Sequence, residues 1–208
     1  MATRREIFRA LTEAGAELYG EAEARQIAEM VLESRGVSRN MLLVEPNEEL
    51  QFPDLDSVIN DIRAWRPVQY IIGTAEFAGM DFEVSDAVLI PRPETEELVD
   101  WIASEVGDSA SILDVGTGSG CIAIALSRAV SGSSVWALDI SADALAVARR
   151  NGAKYAPDVR FVEGDALSDF SALFAEKFDV VVSNPPYIPD SDSRLMRRNV
   201  TDYEPHTA

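Results

Sequence analysis

The sequence predicts an α/β protein, a doubly wound parallel sheet preceded by a small N-terminal helical bundle and a linking β-hairpin. Three observations predict it. From residue 110 onward, short apolar runs alternate with helical stretches, the pattern of βαβα units whose strands are covered on both faces. Residues 1–73 carry helical periodicity and no convincing strand. Residues 74–92, between them, read as extended. The length of 208 residues suits one large domain plus a small one. With 47% hydrophobic and 26% charged residues, the chain can bury a core and is too apolar to be disordered.

The helical region opens with Thr3 and Glu6 at capping-box spacing, and Ile7, Leu11, Ala14 and Leu18 follow on one face. After Gly20 a second stripe runs through Ile27, Met30 and Val31 and ends before Gly36. A third, Val58, Ile59, Ile62 and Trp65, starts behind Ser57 and stops at Pro67. Three amphipathic helices on short loops make a small bundle. In the linking stretch Phe77, Met80, Phe82, Val84, Val88, Leu89 and Ile90 surround a turn at Gly79, and Pro91-Arg92-Pro93 ends it. Glu94, Glu96 and Glu97 then crowd the first turn of a helix through Leu98 and Ile102, where carboxylates suit the positive end of the dipole. Ile112, Leu113 and Val115 form the first sheet strand, followed by a helix through Ile122, Ile124 and Leu126. Val135, Trp136 and Leu138 form the second, and Ser141 caps a helix through Leu145 and Val147. Val159, Phe161 and Val162 make the third, and Val180 to Val182 the fourth. The expected domains are 1–73, the linker 74–92, and 93–208.

Charge narrows the partners. Thirty-six acidic residues against eighteen basic ones give a net charge of −18, a surface that repels a phosphate backbone, so DNA is not expected. One cysteine, Cys121, forms no internal disulfide, and one histidine, His206, argues against a metal centre. No apolar run reaches membrane-span length, and the N-terminus lacks the apolar core of a signal peptide. The expected setting is reducing and cytoplasmic.

Asp114-Val115-Gly116-Thr117-Gly118-Ser119-Gly120 ends the first strand and opens a helix. Glycines there let a ligand approach the backbone, and the helix N-terminus offers free amides. Asp139 ends the second strand at the distance where an acid accepts from ribose hydroxyls. A GxGxxG fingerprint would place its last small residue at 121, which Cys121 occupies; the spacing is instead DxGxGxG, which resembles the first motif of S-adenosylmethionine-dependent methyltransferases. The plainer alternative is a glycine turn that packs helix on sheet, with Asp139 a surface acid. Asp165, in Gly164-Asp165-Ala166 after the third strand, suits the adenine edge or, alternatively, a helix N-cap. Cys121 reads as a small packing residue.

Ser183-Asn184-Pro185-Pro186-Tyr187-Ile188 follows the fourth strand directly. Two prolines force the chain out of the ladder at the carboxyl end, where open α/β sheets bind ligands. Proline fixes φ, so the Asn184 side chain and the Pro185 carbonyl have little freedom and can accept both protons of one planar NH₂ group. Tyr187 offers a face to stack on that group. An amide nitrogen is a poor nucleophile, and holding both its protons favours rehybridisation toward a methyl donor. The plainer alternative is a proline-rich turn with a buried tyrosine.

Four segments carry a family resemblance: Arg66 to Gly73 (RPVQYIIG), Val88 to Glu96 (VLIPRPETE), Ile112 to Gly120, and Val182 to Ile188. With them the chain resembles the release-factor glutamine methyltransferases over all 208 positions. The resemblance implies a Rossmann-like methyltransferase fold. It also implies transfer of a methyl group to the glutamine of the Gly-Gly-Gln motif in class-I peptide chain release factors. By motif, Gly116, Thr117, Gly118, Ser119, Gly120 and Asp139 would hold S-adenosylmethionine, with Ala166 beside the adenine. Asn184 would touch cofactor and substrate, Pro185, Pro186 and Tyr187 would shape the glutamine pocket, and the N-terminal bundle would help bind the release factor. In that family the fold continues through about three further strands after NPPY, so the resemblance implies a chain that stops short of them.

Three rival readings fit the same residues. NPPY is shared with adenine-amino methyltransferases and with the enzyme that methylates a glutamine of ribosomal protein L3. A non-catalytic binding module on the same fold is the rival of another class.

Overall fold

The computed structural model describes residues 2–168, 173–175, 177–185 and 203–205. The chain divides into two compact units, the first running to Ile72 and including Tyr203, the second starting at Gly73 and including Glu204 and Pro205.

The first unit contains α1 (Arg4–Tyr19), α2 (Glu21–Glu33), α3 (Arg39–Val44), α4 (Leu55–Arg63) and α5 (Val68–Ile72). Thr3 caps α1: its Oγ1 accepts from the Glu6 amide at 3.3 Å, and Glu6 Oε2 accepts from the Thr3 amide at 2.8 Å. The core gathers Ile7, Leu11, Val31, Leu32, Val58 and Ile62. Three details differ from the sequence expectation. Helix α2 turns Ala24, Ala28, Val31 and Leu32 inward and leaves Met30 at the surface, because small alanines let α1 and α2 approach closely. Helix α4 begins at Leu55, ahead of Ser57. A short antiparallel pair also joins β1 (Ala2–Thr3) to β2 (Glu49–Leu50), where no strand was expected.

The second unit begins with β3 (Thr74–Phe77) and β4 (Met80–Glu83), an antiparallel hairpin. Its turn, Ala78-Gly79, has positive φ at both residues (50° and 69°), the conformation whose twist matches the flanking strands. The strands end at Glu83, well before Arg92. Phe77 and Phe82 are fully buried in one cluster with Ile112, Ile124 and Leu126, so the hairpin packs into this unit.

Helix α6 (Glu94–Glu105) follows, then β5 (Ser111–Val115), α7 (Cys121–Ala129), β6 (Ser134–Asp139), α8 (Ala142–Tyr155), β7 (Arg160–Glu163) and β8 (Val180–Ser183). The four strands are parallel in the order β7-β6-β5-β8. Strands β5 to β7 advance toward one edge; the chain then returns to lay β8 on the other side of β5. That reversal is the topological switch point of a doubly wound sheet. One sheet face buries Ile112, Val135, Ala137 and Val182 with α7 and the hairpin. The other carries Leu113 and Leu138 against Phe174, which meets Trp136 edge-on at 5.6 Å.

Candidate active site

Register builds the site. Val115 pairs with Leu138 on one side and Ser183 on the other, and Asp139 pairs with Glu163. The segments beginning at Gly116, Ile140, Gly164 and Asn184 therefore leave the sheet together. Ser183 strengthens this alignment, its hydroxyl donating to the Val115 carbonyl at 2.7 Å. Around these ends lies a cavity of about 320 Å³, within the usual range for small-molecule sites.

The cavity is lined by Gly116, Thr117, Gly118, Ser119, Asp139, Asp165, Ala166, Asn184 and Pro185. Gly120 is placed differently. A Cβ there would stand 3.2 Å from the Ala148 Cβ, so Gly120 serves the contact between loop and α8. Gly116 and Gly118 have φ of +75° and +55°, and nothing lies within 4 Å of where a Cβ would project. Pro186 and Tyr187 lie outside the described residues.

Asp139 also shapes the loop. Its Oδ2 accepts from the Gly118 amide at 2.8 Å, and its Oδ1 accepts from the Ser141 amide at 2.9 Å. Asp165 accepts from the Leu167 amide at 2.8 Å, a local turn that sets the wall where Ala166 and Leu167 stand. Burial pushes the Cys121 thiol up to about 12, which leaves it protonated and suited to packing.

Sequence reasoning missed part of the wall. Ala87, Val88, Leu89, Pro91, Arg92 and Thr95 also line the cavity, and Arg92 Nη2 holds the buried Glu204 carboxylate at 2.6 and 2.7 Å. Ile140 and Leu167 line it too, although they are 63% and 95% exposed. An apolar residue directly after the acid at a strand end, Ile140 after Asp139, was the available signal.

Asp114 lies beneath the loop, fully buried, with Thr117 Oγ1 donating to its Oδ2 at 2.6 Å. Burial raises this carboxyl to about 7, against the Thr117 hydrogen bond and with the help of Asp139 repulsion. A folded value above the unfolded one near 3.9 means stability present below about pH 4 and lost as pH rises through about 7. Urea unfolding at about pH 5.5 and pH 8 is expected to show wild type losing roughly 2 kcal/mol more than Asp114→Asn over that rise. Equal losses would show that Asp114 is ionised throughout.

Comparison with known proteins agrees with this architecture. The "Methyltransferase small domain" family matches residues 93–201, so the fold is that of a methyltransferase. The release factor glutamine methyltransferase of Flavobacterium psychrophilum is 38% identical over 202 residues, covering 93% of this chain and 70% of that protein. Its counterpart from Chlorobaculum tepidum is 44% identical over 200 residues, covering 89% and 68%. That of Bacteroides thetaiotaomicron is 44% identical over 155 residues, covering 74% and 55%. The chain belongs to the release factor glutamine methyltransferase family.

Proposed function

We propose that the protein transfers a methyl group from S-adenosylmethionine to the side-chain amide nitrogen of the glutamine in the Gly-Gly-Gln motif of class-I release factors. The observation that carries this reading is that Asn184 and Pro185 stand in the same cavity as the open glycine loop. The lining fits the cofactor. Gly116 and Gly118 leave an open cradle, and Asp139 and Asp165 give an acidic wall suited to hydroxyls, an amino group and a cation rather than to pyrophosphate.

When bound, the cofactor supplies an electrophilic methyl group on a sulfonium. Gly116, Thr117, Gly118 and Ser119 would hold its amino-acid end, Asp139 its ribose, and Asp165 and Ala166 its adenine edge, while Gly120 packs the loop on α8. Asn184 and the Pro185 carbonyl accept the two protons of the substrate amide, and Pro186 and Tyr187 complete the glutamine pocket. Orientation carries most of the rate: two neutral hydrogen bonds contribute roughly 0.5–1.5 kcal/mol each, whereas positioning supplies up to about 7–11 kcal/mol. The helical unit takes part in recognising the release factor in the cytoplasm, where the acidic surface favours a protein partner over DNA.

The test offers labelled S-adenosylmethionine and the full-length protein three acceptors side by side: release factor, ribosomal protein L3 and DNA. Label on the release factor, lost when its Gly-Gly-Gln glutamine becomes alanine, supports the reading; label on another acceptor, or on none, overturns it. Asp139→Ala is expected to raise the Kd for S-adenosylhomocysteine about tenfold to hundredfold, because hydrogen bonds to a charged acceptor contribute about 1.5–3 kcal/mol. Unchanged affinity in calorimetry would remove Asp139 from the site.

A further inference from the structure

We propose that Asn151 on α8 is a positioning residue that fixes the cofactor loop and ties it to the hairpin that leads into the cavity wall. The inference rests on the cofactor reading above and adds a residue no motif marks. Asn151 is 2% exposed, and its amide is fully engaged. Its Oδ1 accepts from the Glu83 amide at 2.7 Å, while Nδ2 donates to the Glu83 carbonyl at 3.0 Å and to the Ser119 carbonyl at 2.9 Å. One planar amide thus pairs with the last residue of β4 as a strand would, and spends its second proton on the glycine loop.

The surrounding contacts give this link a direction. One turn earlier on α8, Ala148 is the atom group against which Gly120 packs, so α8 meets the loop at both Ala148 and Asn151. The neighbouring Arg150 forms an ion pair with Glu83 at 2.6 Å, and Tyr155 exchanges two hydrogen bonds with the Asp81 backbone. Helix α8 therefore grips β4, and the chain leaving β4 supplies Ala87, Val88 and Leu89 to the cavity. Among the loop's other bonds, Gly118 to Asp139 and the Gly116 and Thr117 amides to the Leu138 carbonyl tie it to β6, and Thr117 to Asp114 ties it to β5. Asn151 joins the two walls.

Asn151→Asp keeps the shape, removes both donors and turns a carboxylate toward two carbonyl oxygens. Two readouts follow on purified protein. In the unliganded protein, amide exchange at Gly118 and Gly120 is expected to quicken about tenfold or more, with β5 amides unchanged. The Kd for S-adenosylhomocysteine is expected to rise about tenfold or more, with kcat at saturating cofactor reduced far less. A folded variant with wild-type loop exchange overturns the proposal, as does unchanged affinity. Glu83→Ala, which deletes the ion pair but leaves the Glu83 backbone to Asn151, is expected to keep wild-type values; reproducing the Asn151 effect there would also overturn it. Should Asn151→Asp not fold, Asn151→Ala gives the same readouts without a new charge. Wild-type protein that fails to bind S-adenosylhomocysteine would refute the cofactor reading alone, because the exchange measurement needs no ligand.

Discussion

Replacing Asn184 by alanine in the full-length protein is expected to lower kcat about hundredfold or more while the KM for release factor changes by less than about tenfold. Ser183 is paired with Val115 and hydrogen-bonded to its carbonyl, and Pro185 restricts the backbone just beyond, so Asn184 has little freedom. A fixed acceptor beside a glycine-lined cavity matters most when the substrate nitrogen must point one way, and that demand is greatest in the transition state. Steady-state methyl transfer at saturating cofactor with release factor varied reads kcat and KM separately. A variant with normal kcat and raised KM would mean that Asn184 only docks the substrate.

Gly120→Ala is expected to cost about 2–3 kcal/mol of stability and to weaken cofactor binding with it. Gly120 sits at φ +82°, where an L side chain costs about 1–2 kcal/mol. Its Cβ would stand 3.2 Å from both Ala148 Cβ and Ile124 Cδ1, and a packing penalty at the low end of about 1–3 kcal/mol adds to the strain. Gly116→Ala is the informative companion, since it carries the same backbone strain with nothing within 4 Å. The pair separates packing from strain: urea unfolding should find Gly120→Ala the less stable of the two. Equal stabilities would show that α8 yields to the added methyl group.

Much of the second unit was legible because its strands are continuous apolar runs, although only β5 and β6 are largely buried; β7 and β8 are partly open, with Val181 60% exposed. Ile112-Leu113 and Val180 to Val182 announce themselves without alternation, and Ser141 caps α8 as its position suggests, accepting from the Ala144 amide at 3.1 Å. The face of α2 was harder to read, since Ala24 and Ala28 carry little hydrophobic signal yet are fully buried. The site divides the same way. Gly116, Gly118, Asp139 and Asn184 belong to motifs because each needs a particular residue type at a particular strand end. Val88 and Leu89 open the VLIPRPETE segment, yet nothing in the sequence shows that they, with Ala87, line the cavity, and Asn151 looks like any polar residue of a surface helix. Long-range placement of that kind leaves no local periodicity to find.

The pairing of β5 with β8 has a kinetic consequence. Ile112 meets Val180 across a long intervening stretch of chain, and parallel pairings of such separation are among the slowest to form. Until β8 docks, Asn184 and Pro185 are absent from the cavity and the glycine loop has one wall fewer. During synthesis this strand leaves the ribosome after β5, β6 and β7, so the cavity gains this wall later than the other three. A ligand that recognises only the finished pocket draws the population toward it, by about 2.7 kcal/mol at a hundred times its Kd. S-adenosylhomocysteine added during refolding should therefore leave the early phases untouched and slow unfolding of the completed sheet.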